Sequence, residues 1–209
     1  MSPAGNAEAL RVTLHGKHWP NGQALLGPMA FAVRRGEVVA LSGPSGCGKS
    51  TLLAIVAGLD AGYQGRVTRP EPSRLSMVFQ SPRLLPWRTA VENIALGAGG
   101  GKDAKGRALA MLESLGLAAI AATYPARLSL GMARRVAVAR ALIGAPDILL
   151  LDEALVSLDP ASSALVRAMV LAEVAARGMA VLMVSHDPAD AARMADRSLI
   201  LAGTPTVLA

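Results

Sequence analysis

A single cysteine, Cys47, stands among the 209 residues, so no intramolecular disulfide framework and no cysteine-rich metal site organises this chain. Aromatic side chains are also scarce, at 3% against 52% for all hydrophobic types, which leaves Leu, Val, Ala and Met to build an aliphatic core. Long apolar runs are missing too. A membrane-crossing helix needs about 18 or more apolar residues with few charges, whereas the greasiest stretches, 148–151 and 180–184, are of strand length and end in polar residues. They read as buried parallel strands. Residues 1–10 lack the basic start and apolar block of a secretory signal. Nor is there a repeat or a basic block. The formal charge of +6 is spread over scattered arginines such as Arg134, Arg135, Arg140, Arg167 and Arg177, so no nucleic-acid partner is expected. Together these absences predict one soluble, intracellular domain of ordinary size.

What is present is an alternation of strand-like and helix-like segments. Residues 10–14 and 29–33 read as strands, and 37–42 is a short apolar run entering a glycine-rich loop, with a helix over 51–59 behind it. From 86 to 125 the apolar spacing is mostly helical. Helices are predicted over 132–143, 160–177 and 188–194, with strands over 147–151, 179–185 and a last one at 198–201. Such alternation implies an α/β fold with a largely parallel sheet and helices on both faces.

Gly43, Pro44, Ser45, Gly46, Cys47, Gly48, Lys49, Ser50 and Thr51 match the G-x-x-x-x-G-K-[ST] pattern of a phosphate-binding loop, between a predicted strand and a predicted helix. Glycines let backbone N–H groups face the β- and γ-phosphates where a Cβ would block the approach, and the start of the helix adds its positive dipole end. Lys49 brings a point charge worth roughly 1.5–3 kcal/mol against phosphate, and the Ser50 hydroxyl suits Mg²⁺. Cys47 reads as a small spacer, a redox role at a helix start being the alternative. The loop alone leaves kinase, GTPase and transport ATPase open.

Farther on, the apolar strand at 148–151 ends in Asp152 and Glu153. Asp152 is placed to hold the Mg²⁺ shell, and Glu153 to accept a proton from, or to orient, the attacking water. His186 follows the next apolar strand, at the end where ligands bind in open α/β sheets, and is a candidate for a hydrogen bond to the γ-phosphate. His15 and His18 have no such placement.

Between these features lies Leu128-Ser129-Leu130-Gly131-Met132, heading a helix rich in arginine. The whole series resembles the ATP-binding subunits of ABC transporters, and the resemblance spans nearly the full chain. It implies a P-loop NTPase fold of ABC type, with an N-terminal antiparallel part and a helical subdomain at about 86–140, inserted in a single domain of 1–209. It assigns the phosphate loop to 43–51, the glutamine loop to Gln80, the signature to 129–132, the carboxylate pair to Asp152 and Glu153, the Asp-containing loop to 157–159, and the switch histidine to His186. Trp19 falls where the family stacks a ring on adenine.

By the same resemblance Glu153, His186 and Gln80 are catalytic, and Ser50, Gln80 and Asp152 hold Mg²⁺. Ser129, Gly131 and Asp159 complete the ATP site across a head-to-tail dimer. The implied partners are a transmembrane permease, a second copy of this chain and an extracytoplasmic solute-binding protein, placing the chain on the inner face of the membrane. The segment 84–89, followed by Glu92 and Asn93, resembles the importer branch that handles nitrate, sulfonates, taurine and thiamine-like solutes.

Three departures from the family pattern stand out. Leu130 replaces the first glycine of the signature and Met132 its glutamine. Ala154 replaces the proline after Glu153, and Val156-Ser157 replaces Ser-Ala. The sequence stops at Ala209, where no room is expected for a regulatory C-terminal domain. The competing classes are a non-transport ABC ATPase, which needs a coiled-coil insertion or a second nucleotide domain, and a degenerate module that binds ATP without hydrolysing it. A small-molecule kinase would leave the signature and switch segments unexplained.

Overall fold

The structure is a computed structural model that describes residues 7–101, 103–156, 158–185 and 188–209. Its centre is a six-stranded sheet ordered β10(Val207–Leu208), β9(Arg197–Ala202), β4(Val38–Ser42), β8(Ala180–Val184), β7(Ile148–Asp152), β6(Leu75–Val78). All neighbours are parallel except β10, which turns back antiparallel on β9. Within β7 the side chains of Ile148 and Leu150 enter one core, and those of Leu149 and Leu151 enter another. Being buried on both faces is why β4, β7 and β8 read as unbroken apolar runs rather than alternating ones.

The first core lies under a second, antiparallel sheet. There β1(Glu8–His18) pairs with β2(Ala24–Leu26) and β3(Met29–Arg34) along one edge and with β5(Tyr63–Thr68) along the other. Helix α1(Lys49–Val56) packs into the same core through Leu52, Leu53, Ile55 and Val56. The second core, on the opposite face, takes α2(Ala90–Leu96), α3(Ala104–Ser114), α4(Leu130–Leu142) and α5(Pro160–Arg177), with Met194 of α6(Pro188–Met194).

Local chemistry sets the helix ends. Thr89 and Glu92 form a reciprocal capping box at α2. Ser129 caps α4 by accepting from Met132 N at 3.2 Å, which starts that helix two residues before the predicted 132. Asp159 caps α5 by accepting from Ser162 N at 2.9 Å, Pro160 supplies its first turn, and Gly178 closes it at φ 65°. The strands β2, β5, β6 and β10 were not anticipated, and β10 follows the strand expected to be last. No described helix is long and apolar enough to cross a membrane.

Candidate active site

The phosphate loop joins the carboxyl end of β4 to the first turn of α1, and its glycines have different reasons for being there. A Cβ on Gly43 would lie 2.5 Å from the carbonyl oxygen of Leu201, so that glycine is fixed by contact with β9. Gly48, at φ 97°, would drive a Cβ to 2.7 Å from Leu26 Cδ2. Gly46 adopts φ 78° with open space beyond it, leaving its backbone accessible to a phosphate. Cys47 is buried in the core beneath the loop.

Lys49 is only 5% exposed. Its Nζ donates to the carbonyls of Gly43 and Pro44, both at 2.8 Å. An ammonium has three donors; two go to these carbonyls, and the third approaches Cys47 Sγ at 3.9 Å, a weak contact that a phosphate oxygen would outcompete. The Ser50 hydroxyl donates to Asp152 Oδ1 at 2.9 Å, joining α1 to the end of β7. One residue on, Glu153 is buried and takes the left-handed conformation at φ 50°, so the two successive carboxylates serve different neighbours. Gln80 Nε2, just past β6, donates to Glu153 Oε2 at 2.9 Å. Burial pushes the Asp152 carboxyl above the usual carboxylate range; the Ser50 bond opposes this, the nearby Glu153 adds to it, and the charges of Lys49 and Arg83 oppose it.

These groups surround a cavity of about 340 Å³ lined by Trp19, Leu25, Ser45, Gly46, Gly48, Lys49, Ser50, Thr51, Gln80 and Glu153. Trp19 sits in the turn after β1, where its backbone N–H donates to Gln23 O. It also lines an adjoining cavity of about 290 Å³ with Pro44 and Cys47, bounded by Gly203, Thr204 and Thr206 of the turn between β9 and β10. An aromatic face at one end and an ammonium at the other suit a nucleoside triphosphate. The oxygen donors of Ser50, Asp152 and Gln80 fit Mg²⁺, a hard cation held through few protein ligands and the substrate's phosphates.

Not every candidate converges here. Ser129 and Gly131, at the start of α4, are not among the residues lining this cavity, and the exposed Asp159 is engaged in capping α5. A hydrogen bond from the Ser162 side chain, and after it the capping bond from the Ser162 backbone, hold the Asp159 carboxyl below its ordinary range. His186 lies outside the described residues. Sequence reasoning missed Leu25, which lines both cavities and gives no signal beyond an apolar pair in a short strand. It also missed the braces of the Gln80 loop. Arg140 of α4 donates to the carbonyls of Arg83 and Pro82 at 2.8 and 3.0 Å. The fully buried Asn93 of α2 ties together Leu85 and the carbonyls of Arg88 and Thr89.

Fold and site together define a P-loop nucleotide hydrolase. Residues 26–156 match the ABC transporter family, and the chain belongs to that family as one of its ATP-binding, ATP-hydrolysing subunits. It is 44% identical over 191 residues to the aliphatic sulfonates import ATP-binding protein SsuB 2 of Burkholderia cenocepacia (strain HI2424), covering 88% of this chain and 70% of that protein. It is 42% identical over 193 residues to SsuB 3 of Nocardia farcinica (strain IFM 10152), covering 92% and 76%. Among solved structures, the dimeric post-hydrolysis state of the ATP-binding cassette MJ0796 bound to ADP and Pi superposes with a TM-score of 0.85 at 28% identity, covering 95% of this chain and 96% of that one.

Proposed function

We propose that this chain powers solute import by hydrolysing ATP between two copies of itself, docked beneath a membrane permease. The observation that carries the reading is the meeting of Lys49, the Ser50–Asp152 pair and the Gln80–Glu153 pair around one cavity that ends at Trp19. In this reading Trp19 stacks on adenine, and the backbone of 43–51 and the Lys49 ammonium hold the β- and γ-phosphates. Ser50, Asp152 and the Gln80 amide oxygen would hold Mg²⁺, which supplies charge neutralisation on the phosphates when bound. Glu153 accepts a proton from water as that water's oxygen bonds to the γ-phosphorus. The bond from the γ-phosphorus to the bridging oxygen breaks, and ADP leaves with inorganic phosphate. His186 is assigned to the γ-phosphate.

The signature residues Ser129 and Gly131, together with Asp159, act on the ATP held by the other copy, head to tail. Their absence from the lining of their own nucleotide cavity and the dimeric state of the structural relative support this assignment. The chain is one ATPase domain whose helical part, about 86–140, faces the permease. There Trp87, 68% exposed, stands on the loop that follows Gln80. The relatives' names support an aliphatic sulfonate as the solute class and import as the direction, and an extracytoplasmic solute-binding protein is the further partner in this reading. The chain itself works at the inner face of the membrane. Steady-state ATP hydrolysis across a range of chain concentrations tests the reading. A per-chain rate that climbs with concentration is expected, and a rate independent of concentration overturns the shared site.

A further inference from the structure

Arg134 has no part in the mechanism above. It lies on α4, one turn beyond Leu130, and is only 8% exposed. Its Nε and Nη1 are sealed from solvent and have no hydrogen-bond partner among the described residues. Its neighbours on the same helix are at least partly engaged: Arg135 donates from Nη1 to Leu115 O at 3.0 Å, though its Nε is also buried without a partner among the described residues, and Arg140 holds the two carbonyls already described. A buried guanidinium with unmade donors is costly, and the group's planar fork matches a carboxylate or a phosphate.

Arg134 lines a cavity of about 360 Å³ that borders the nucleotide cavity and shares Ser50 and Gln80 with it. Ser50 and Asp152 form its hydrolytic end; Arg83, Leu130 and Arg134 line the rest. The Arg83 guanidinium is stacked over the Phe79 ring, 3.7 Å from its centroid, and Arg83 itself stands at φ 44°. One end of this space therefore carries the Asp152 carboxylate with Glu153 beside it, and the walls carry two guanidinium groups. A divalent oxyanion at the acidic end is repelled there and attracted toward the arginines. Hydrolysis releases such an ion at that corner.

We propose that this cavity is a subsite for a tetrahedral oxyanion, held by Arg134 with Arg83, and that it receives the inorganic phosphate leaving the hydrolytic corner. The proposal rests on the ATPase reading and adds a second, post-hydrolysis station to it. Neither arginine is needed to bind ADP, so nucleotide affinity and oxyanion affinity separate in one experiment. The test is calorimetric titration of inorganic phosphate, and separately of sulfate, into the ADP-saturated chain. Arg134→Gln is expected to weaken both ions by at least about tenfold, with Arg134→Lys in between, because loss of a charge-assisted contact has that scale. ADP affinity stays within about twofold, since ADP binds through the phosphate loop.

Arg83→Gln, which lies outside α4, weakens both ions as well and serves if Arg134→Gln does not fold. Single-turnover phosphate release identifies the source. A changed release rate in Arg134→Gln supports filling from the reaction; unchanged release with lost binding overturns that part and leaves a site for bulk anions. Equal oxyanion affinity in the wild type and both glutamine variants, or no binding in the wild type, overturns the subsite. Failure of the wild type to bind ADP at all breaks the ATPase reading instead, and the oxyanion titration without nucleotide still reads Arg134.

Discussion

The phosphate-loop end of the parallel sheet and the start of α4 treat their polar groups in opposite ways. At the first, each group is engaged within the chain: Lys49 on two carbonyls, Ser50 on Asp152, Gln80 on Glu153. At the second, Ser129 is exposed with its oxygen given to the helix cap, and Leu130, 53% exposed, projects a large apolar side chain outward. Pre-organised chemistry needs a rigid surround, whereas a surface meant for another molecule stays open until that molecule arrives. In the proposed reading one end is a machine part already assembled and the other is a mating face.

The sharpest way to break this contrast is Glu153→Gln. Removing the acceptor at the assembled end should lower turnover by about 10²–10⁴-fold, the scale of a general base, while ATP binding survives and an ATP-bound dimer accumulates. Size-exclusion chromatography with ATP checks it; a variant that stays monomeric argues that the mating face has no counterpart. Trp19→Ala should weaken ATP about fivefold with kcat little changed, the scale of a lost aromatic stack, as read from nucleotide titration and KM.

At the open end, Leu130→Gly should raise turnover about two- to threefold, because glycine lets another backbone approach where a side chain intrudes. An unchanged rate means the leucine is accommodated. The smallest effect is on stability. Asp152 holds its proton more tightly folded than unfolded, so its contribution to stability falls as pH rises through the interval between the two values. Asp152→Asn removes that decline and should raise Tm at pH 8, with the gain shrinking toward pH 4. Thermal unfolding at both pH values checks the sign.

Much of this was readable in the order of the residues. Strands β4, β7 and β8 announce themselves because both faces are buried, and α5 spans the expected 160–177, its ends set by the Asp159 cap, Pro160 and Gly178. The loop 43–51 and the acidic pair are short, local patterns. By contrast β5 is largely exposed along Tyr63–Thr68, so no apolar rhythm marks it, and β6 is a four-residue strand between polar turns. That Arg134 faces Ser50 and Asp152 across a cavity depends on how α4 lies against the Gln80 loop. Linear spacing cannot encode it.

Ser42 at the mouth of the phosphate loop hydrogen-bonds to Leu199 at a separation of 157 positions, and Gly43 rests on Leu201. The loop is thus written early in the chain and braced late. During synthesis, which runs from the N-terminus at about 5–20 residues per second, the motif emerges well before β9 exists to support it. Contacts of such long separation form slowly, so the nucleotide site is among the last features of this molecule to become rigid. A newborn chain that has shown its phosphate loop has yet to acquire a working one.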